Sequence, residues 1–174
     1  YTLAIALNSD KAEVHSNLGV TLKQLGKMKE AEECFVRAVA IKPNYAEAHM
    51  NLGVLLKEQG RLEESEKSHK NAIMSKPKLA EAHLNLGNTF RESGRLQAAE
   101  AMYKQATELK PDYAEAFSNL GSTLKEQGKF QEAEKSYRQA IAVKPNYMSA
   151  KFMLAALTGE TMATAPRDYV ESLF

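Results

Sequence analysis

Residues 46–79 read AEAHMNLGVLLKEQGRLEESEKSHKNAIMSKPKL, and the punctuation in that stretch decides the architecture. Its Gly53, Gly60 and Pro77 recur on both sides at one interval. Pro43, Pro77, Pro111 and Pro145 stand 34 residues apart. Gly19, Gly53, Gly87 and Gly121 keep the same spacing, as do Gly26, Gly60, Gly94 and Gly128. Residues 46–79 and 114–147 are identical at 19 of 34 positions. A period of this size means stacked repeats, in which each unit needs a neighbour to bury its apolar face. Four full repeats follow, 12–45, 46–79, 80–113 and 114–147, each with a net charge of +1 or −1.

Each repeat reads as helix, turn, helix. In the quoted one, the first helix covers about Ala46–Gln59, with Leu52, Val54, Leu55 and Leu56 as its apolar stripe. Gly60 ends it, since glycine accepts the left-handed conformation past a helix C-terminus. The second helix covers about Leu62–Met74, and Pro77 prevents continuation because it has no amide proton and clashes with the preceding turn. Asp10-x-x-Glu13, Asn44-x-x-Glu47 and Asp112-x-x-Glu115 have the spacing of capping boxes. Lys78 stands at the matching cap position before the third repeat, which predicts a frayed start costing about 1 kcal/mol.

The ends follow the same register. Tyr1, Ala4, Ile5 and Leu7 match Tyr137, Ala140, Ile141 and Val143, so residues 1–11 read as the second helix of a truncated repeat. Residues 148–157 read as a capping helix, and 158–174 as a tail that breaks the period. In that tail Pro166 can open a short helix with Tyr169, Val170, Leu173 and Phe174 on one face. Both ends then present apolar surface, which predicts self-association through unfinished array ends.

Composition removes several classes of function. The 174 residues hold 23 Lys+Arg against 22 Asp+Glu, too balanced for a nucleic-acid binder built on bulk charge. Hydrophobic residues make up 44%, too many for a disordered chain. No apolar run approaches the ~18 residues of a membrane span. One cysteine, Cys34, excludes an internal disulfide and a cysteine metal site. No basic start precedes an apolar stretch, and the expected location is cytoplasmic.

These residues resemble the tetratricopeptide repeat, whose 34-residue pattern includes Leu-Gly, a small residue, an aromatic, Ala and Pro. The Leu-Gly pairs are Leu18-Gly19, Leu52-Gly53, Leu86-Gly87 and Leu120-Gly121. The large residue before them is His15, His49, His83 or Phe117, where the family often has Trp. The small residue is Ala31, Ser65, Ala99 or Ala133, and the aromatic slot holds Phe35, His69, Tyr103 or Tyr137. The later Ala is Ala38, Ala72, Ala106 or Ala140. Ser65 and His69 depart from the pattern and mark the second repeat as the least stable internal one. The resemblance implies an all-α, right-handed superhelical solenoid of antiparallel helix pairs. It also implies a concave groove lined by first helices, and binding of peptides or proteins rather than catalysis.

Helical geometry separates the faces of the first helices. At about 100° per residue, His15, Leu18 and Leu22 fall within about 60° of one another, and Glu13, Asn17, Val20 and Gln24 lie opposite. The outward set repeats as Glu13, Glu47, Glu81 and Glu115, and as Asn17, Asn51, Asn85 and Asn119. Val20, Val54, Asn88 and Ser122 vary, and Lys23, Lys57, Arg91 and Lys125 border the stripe. An asparagine amide offers a donor and an acceptor, the pair a peptide bond needs. Asparagines about 10 Å apart along the stack would hold an extended peptide by its backbone; the alternative is that they bond to neighbouring helices. The predicted groove therefore comprises Asn17, Asn51, Asn85, Asn119, Glu47, Glu81, Lys57, Arg91, Lys125, Val54, Asn88 and Ser122, with a protein or peptide segment as partner.

The Asn-Leu-Gly pattern is most similar to repeats of O-linked N-acetylglucosamine transferases. The run Ala156-Leu157-Thr158-Gly159-Glu160, with Ala165-Pro166, Tyr169-Val170 and Leu173-Phe174, resembles the junction in bacterial fusions of these repeats to a methyltransferase. The alternative function is accordingly a substrate-recruiting region of a larger transferase. No cofactor, metal or catalytic residue is expected. His15, His49 and His83 sit one per repeat, too far apart to share a metal at about 2.1 Å. Cys34 reads as an inert thiol, and the glutamates as solvated helix-face charges.

Overall fold

The computed structural model describes residues 11–159. Among these there are nine α-helices and no strand. They are α1 (Ala12–Gln24), α2 (Met28–Ile41), α3 (Ala46–Glu58), α4 (Leu62–Ser75), α5 (Ala80–Glu92), α6 (Leu96–Leu109), α7 (Ala114–Glu126), α8 (Phe130–Val143) and α9 (Met148–Thr158). The expected truncated helix before Lys11 and the apolar tail at Tyr169–Phe174 lie outside the described residues. The helices fall into two compact units, one ending at Pro111 and one beginning at Asp112.

The first unit holds α1–α6. Each of α1, α3 and α5 packs on the helix that follows it, and α3 also packs on both α1 and α5. Its core joins Ala31 and Phe35 of α2 to Leu52, Leu55 and Leu56 of α3, with Val20 and Leu22 packed against them. Val54 is only half-buried, so it leaves the apolar stripe and turns toward the outer face. In the second unit α7, α8 and α9 all pack on one another.

The turn inside each pair is set by one glycine. Gly60 has φ +76°, and its N–H bonds to the Lys57 carbonyl at 2.8 Å. The next N–H, of Arg61, reaches back to the Leu56 carbonyl at 2.9 Å. These two bonds close off carbonyls that the helix end leaves open. The second helices end differently. Lys42, Lys76, Lys110 and Lys144 leave the helical region because each precedes a proline, which disfavours helical backbone at the residue before it.

The pairs are keyed by a ring seated on a glycine. A Cβ on Gly53 would stand 2.5 Å from the His69 ring, and one on Gly87 would stand 2.6 Å from the Tyr103 ring. Gly19 against Phe35 and Gly121 against Tyr137 repeat the contact, and all four rings are fully buried. No other residue allows the ring this close to the helix backbone.

The capping boxes expected at Asn44 and Asp112 are not formed, and Asp10 of the remaining one lies outside the described residues. The cap positions are Tyr45 and Tyr113, one residue after Asn44 and Asp112, and neither helix has a side-chain cap bond. The reason lies in the proline turn: Tyr45 N–H bonds to the Lys42 carbonyl at 3.0 Å, which places Asn44 inside the turn. Glu47 is bonded to Lys76 instead of reaching back. The α5 cap is Leu79 rather than Lys78, and since α3 and α7 also lack a cap bond, Lys78 does not set α5 apart. Glu13, Glu47, Glu81 and Glu115 still stand in first turns, where the helix dipole favours negative charge.

Of the two departures in the second repeat, one is compensated. Ser65 is fully buried, and its hydroxyl lies 3.0 Å from that of Thr89 on α5. His69 is also fully buried, yet neither ring nitrogen has a partner among the described residues. Burial pushes its pKa down to about 4, with Lys57 adding to the shift.

Alanine in place of a helix-interior glycine ordinarily stabilises by about 1 kcal/mol. Gly53→Ala is expected to destabilise by about 1–3 kcal/mol in urea melts, because the ring is overpacked. In a His69→Ala background the same change should be neutral or stabilising. His69→Phe should raise stability by about 1–3 kcal/mol by removing two unsatisfied polar atoms. His69 binds its proton less readily folded than unfolded, so the unfolded state takes up protons first as pH falls. Stability should therefore drop from about pH 6.5 toward about pH 4. Melts across that range should show a smaller drop in His69→Phe. Glu47 and Glu66, whose pKa values their cationic partners lower, titrate in both proteins and cancel in the comparison.

Candidate binding face on the first helices

The asparagines sit where the helical wheel puts them. Asn17 is exposed on α1, and Asn51 and Asn85 are half-buried on α3 and α5, three helices in series within the first unit. The side-chain amides of these three make no hydrogen bond among the described residues. The backbone carbonyls of Asn17 and Asn85 accept from Thr21 Oγ1 at 3.1 Å and Thr89 Oγ1 at 3.0 Å. Asn119 stands on α7 of the second unit, half-buried, its carbonyl accepting from Thr123 Oγ1 at 2.9 Å.

The position three residues further along follows the ring beneath it. Val20 and Val54 accompany Phe35 and His69, which have no hydroxyl. Asn88 accompanies Tyr103, whose hydroxyl donates to Asn88 Oδ1 at 2.8 Å. Ser122 accompanies Tyr137, whose hydroxyl donates to Ser122 Oγ at 3.1 Å, and Ser122 is buried. Asn88 and Ser122 therefore complete the phenol of their own pair. Tyr103→Phe is expected to cost about 0.5–1.5 kcal/mol in thermal or urea melts. In a double-mutant cycle with Asn88→Val, the two losses should be less than additive.

The charged border is paired with other helices. Lys23 Nζ lies 2.7 Å from Glu58 and Lys57 Nζ lies 3.2 Å from Glu92, each tying one first helix to the next. Glu13 meets Lys42 at 2.9 Å, Glu47 meets Lys76, and Glu81 meets Lys110 at 3.2 Å. The Lys76 hydrogen bond holds the Glu47 carboxyl below its usual range, as Lys42 does for Glu13. These are solvated pairs that contribute little to stability individually, but they leave the face close to neutral. Arg91 and Lys125 are half-buried on α5 and α7.

Between α1 and α3 the face opens into a recess of about 250 Å³ lined by Val20, Lys23, Gln24, Phe35, Asn51 and Val54. The groove expected from the sequence omits Phe35, which lies beneath the face because it occupies the ring slot over Gly19. It also omits Glu58 and Glu92. Their signal is present in the sequence at a spacing of 35, one residue longer than the period, from Lys23 and Lys57.

Two of the histidines anchor loops. His49 Nε2 donates to the Pro43 carbonyl at 2.8 Å and His83 Nε2 to the Pro77 carbonyl at 2.9 Å. A carbonyl only accepts, so Nε2 carries the proton in both. Cys34 is half-buried, and burial with the charges of Glu33 and Glu30 pushes its thiol pKa up, away from a reactive thiolate. Among the described residues no helix is long and apolar enough to cross a membrane.

Helix pairs keyed ring-on-glycine at a 34-residue period define the all-α helical-repeat class. The family model described as the cilia and flagella-associated protein 70 C-terminal domain, a tetratricopeptide-repeat model, matches residues 1–163, and the chain belongs to that family. No curated protein matches the chain significantly. Among solved structures, a thermophilic tetratricopeptide-repeat protein of Thermus thermophilus is 28% identical, with a TM-score of 0.74 over 90% of this chain and 86% of that one. The MamA protein is 22% identical, with a TM-score of 0.77 over 85% of this chain and 81% of that one. The first tetratricopeptide-repeat domain of Spaghetti (RPAP3), bound to the HSP90 peptide SRMEEVD, is 21% identical, with a TM-score of 0.64 over 66% of this chain and 90% of that one. Tetratricopeptide-repeat domains are protein-binding scaffolds, and the fold is typically non-catalytic.

Proposed function

We propose that this chain is a non-catalytic scaffold that holds an extended peptide along its first helices through asparagine side chains. The observation that carries this reading is the row Asn17, Asn51 and Asn85. These amides lie on three helices packed in series and have no bonded partner among the described residues. An unpartnered amide at each step matches the alternating donors and acceptors of an extended backbone. Asn119 continues the series in sequence. The solved structure with a bound peptide supports a peptide as the ligand class.

The finer resemblances belong to this proposal as well. Recruitment of substrate for a larger methyltransferase or O-linked glycosyltransferase is the second reading, favoured by the Asn-Leu-Gly series and the run from Ala156 to Phe174. The cytoplasmic location expected from the sequence is part of the same reading.

The test uses random nonapeptides displayed on phage, panned against the purified chain. Asn17→Ala, Asn51→Ala and Asn85→Ala combined should weaken the selected peptides by about a hundredfold, at about 1 kcal/mol per lost bond, with the helical circular dichroism unchanged. Unchanged affinity, or loss of the helical signal, would show that the asparagines are structural.

A further inference from the structure

We infer that the peptide held on this face presents one uncharged, branched aliphatic side chain to the recess between α1 and α3, and no carboxylate. This rests on the peptide-binding reading above and names the chemistry of the ligand at one position.

The recess has the size of a single anchor. At about 250 Å³ it lies below the ~300–1,000 Å³ of sites that enclose small molecules. Val20 and Val54 bring methyl groups to it, and the Phe35 ring, itself fully buried, forms the floor beneath them. Asn51 belongs to the same lining, so one residue of an extended ligand can offer its backbone to the amide and its side chain to the valines.

The charges at the rim argue against an acidic ligand. Lys23 is bonded to Glu58 at 2.7 Å, and Lys57 to Glu92 at 3.2 Å. A ligand carboxylate would have to displace Glu58 from Lys23 or stand beside it uncompensated. Burying an unpaired charge next to two valines and a phenyl ring is costly. An aliphatic side chain avoids that cost and covers the apolar wall.

The preference is local to this step. The equivalent of Val20 and Val54 on α5 is Asn88, engaged by the Tyr103 hydroxyl. The ligand is thus apolar where it crosses α1 and α3 and faces a polar pair where it reaches α5. Val20 and Val54 are both only half-buried, so an asparagine amide at either position keeps access to water.

The experiment continues from peptides enriched on the full chain by phage display of random nonapeptides. Enrichment of Val, Ile or Leu at one fixed position is expected. Three synthetic nonapeptides carrying Ile, Ser or Glu at that position are then titrated by fluorescence anisotropy. Ile should bind about tenfold more tightly than Ser, the value of burying one aliphatic side chain, and Glu more weakly than both. In a Val20→Asn/Val54→Asn variant with unchanged circular dichroism, the gap between Ile and Ser should vanish while the Ser peptide still binds. An enriched acidic position, or an Ile–Ser gap that survives in the variant, would overturn the anchor while leaving peptide binding intact. Failure to enrich any peptide would overturn the peptide-binding reading itself, and the anchor with it.

Discussion

The contact on which the rest depends is a ring of the second helix lying on a glycine of the first. At Gly53 a single added carbon would stand 2.5 Å from the His69 ring, closer than packed atoms approach. The contact fixes how near the two helices of a pair come, and with it the packing of Leu52, Leu55 and Leu56 against Phe35 and Ala31 of the preceding pair. It also shapes the outer face. Where the ring lacks a hydroxyl, at Phe35 and His69, the residue above it is valine. Where the ring is tyrosine, that residue is Asn88 or Ser122 and accepts the phenol proton. The polarity of the candidate binding face is therefore partly written by the core beneath it.

Electrostatics adds a second layer with small energies and a larger effect on recognition. Lys23–Glu58 and Lys57–Glu92 bridge successive first helices, and Arg61–Glu32 and Arg95–Glu66 bridge successive second-helix segments. Exposed pairs of this kind contribute roughly 0–1 kcal/mol each. Their consequence is that Lys23 and Lys57, which border the asparagine row in the first unit, are already matched. What the face offers a ligand is amide hydrogen bonding and apolar surface, with little net charge.

Much of the fold was legible in the sequence because glycine and proline act locally. Gly60 and Pro77 alone bracket α4 to within a few residues, and the period carries that reading along the chain. The capping boxes misled because the motif specifies a spacing and not a turn: the proline turn places Tyr45, not Asn44, at the start of α3. The asparagine row was legible from helical periodicity. The partners of Lys23 and Lys57 were not, because a contact between neighbouring pairs runs at 35 residues, one longer than the repeat. The burial of Ser122 and the recess over Phe35 depend on how far each ring reaches, which no periodicity encodes.

The most direct measurement of the central claim is a nuclear magnetic resonance titration of the full chain with one selected nonapeptide, following the side-chain NH₂ signals of asparagine. The account predicts saturable shifts at Asn17, Asn51 and Asn85, at ligand concentrations matching the affinity measured in solution, with Asn71 on α4 unmoved. A saturable shift at Asn71, with the three first-helix amides unchanged, would contradict it.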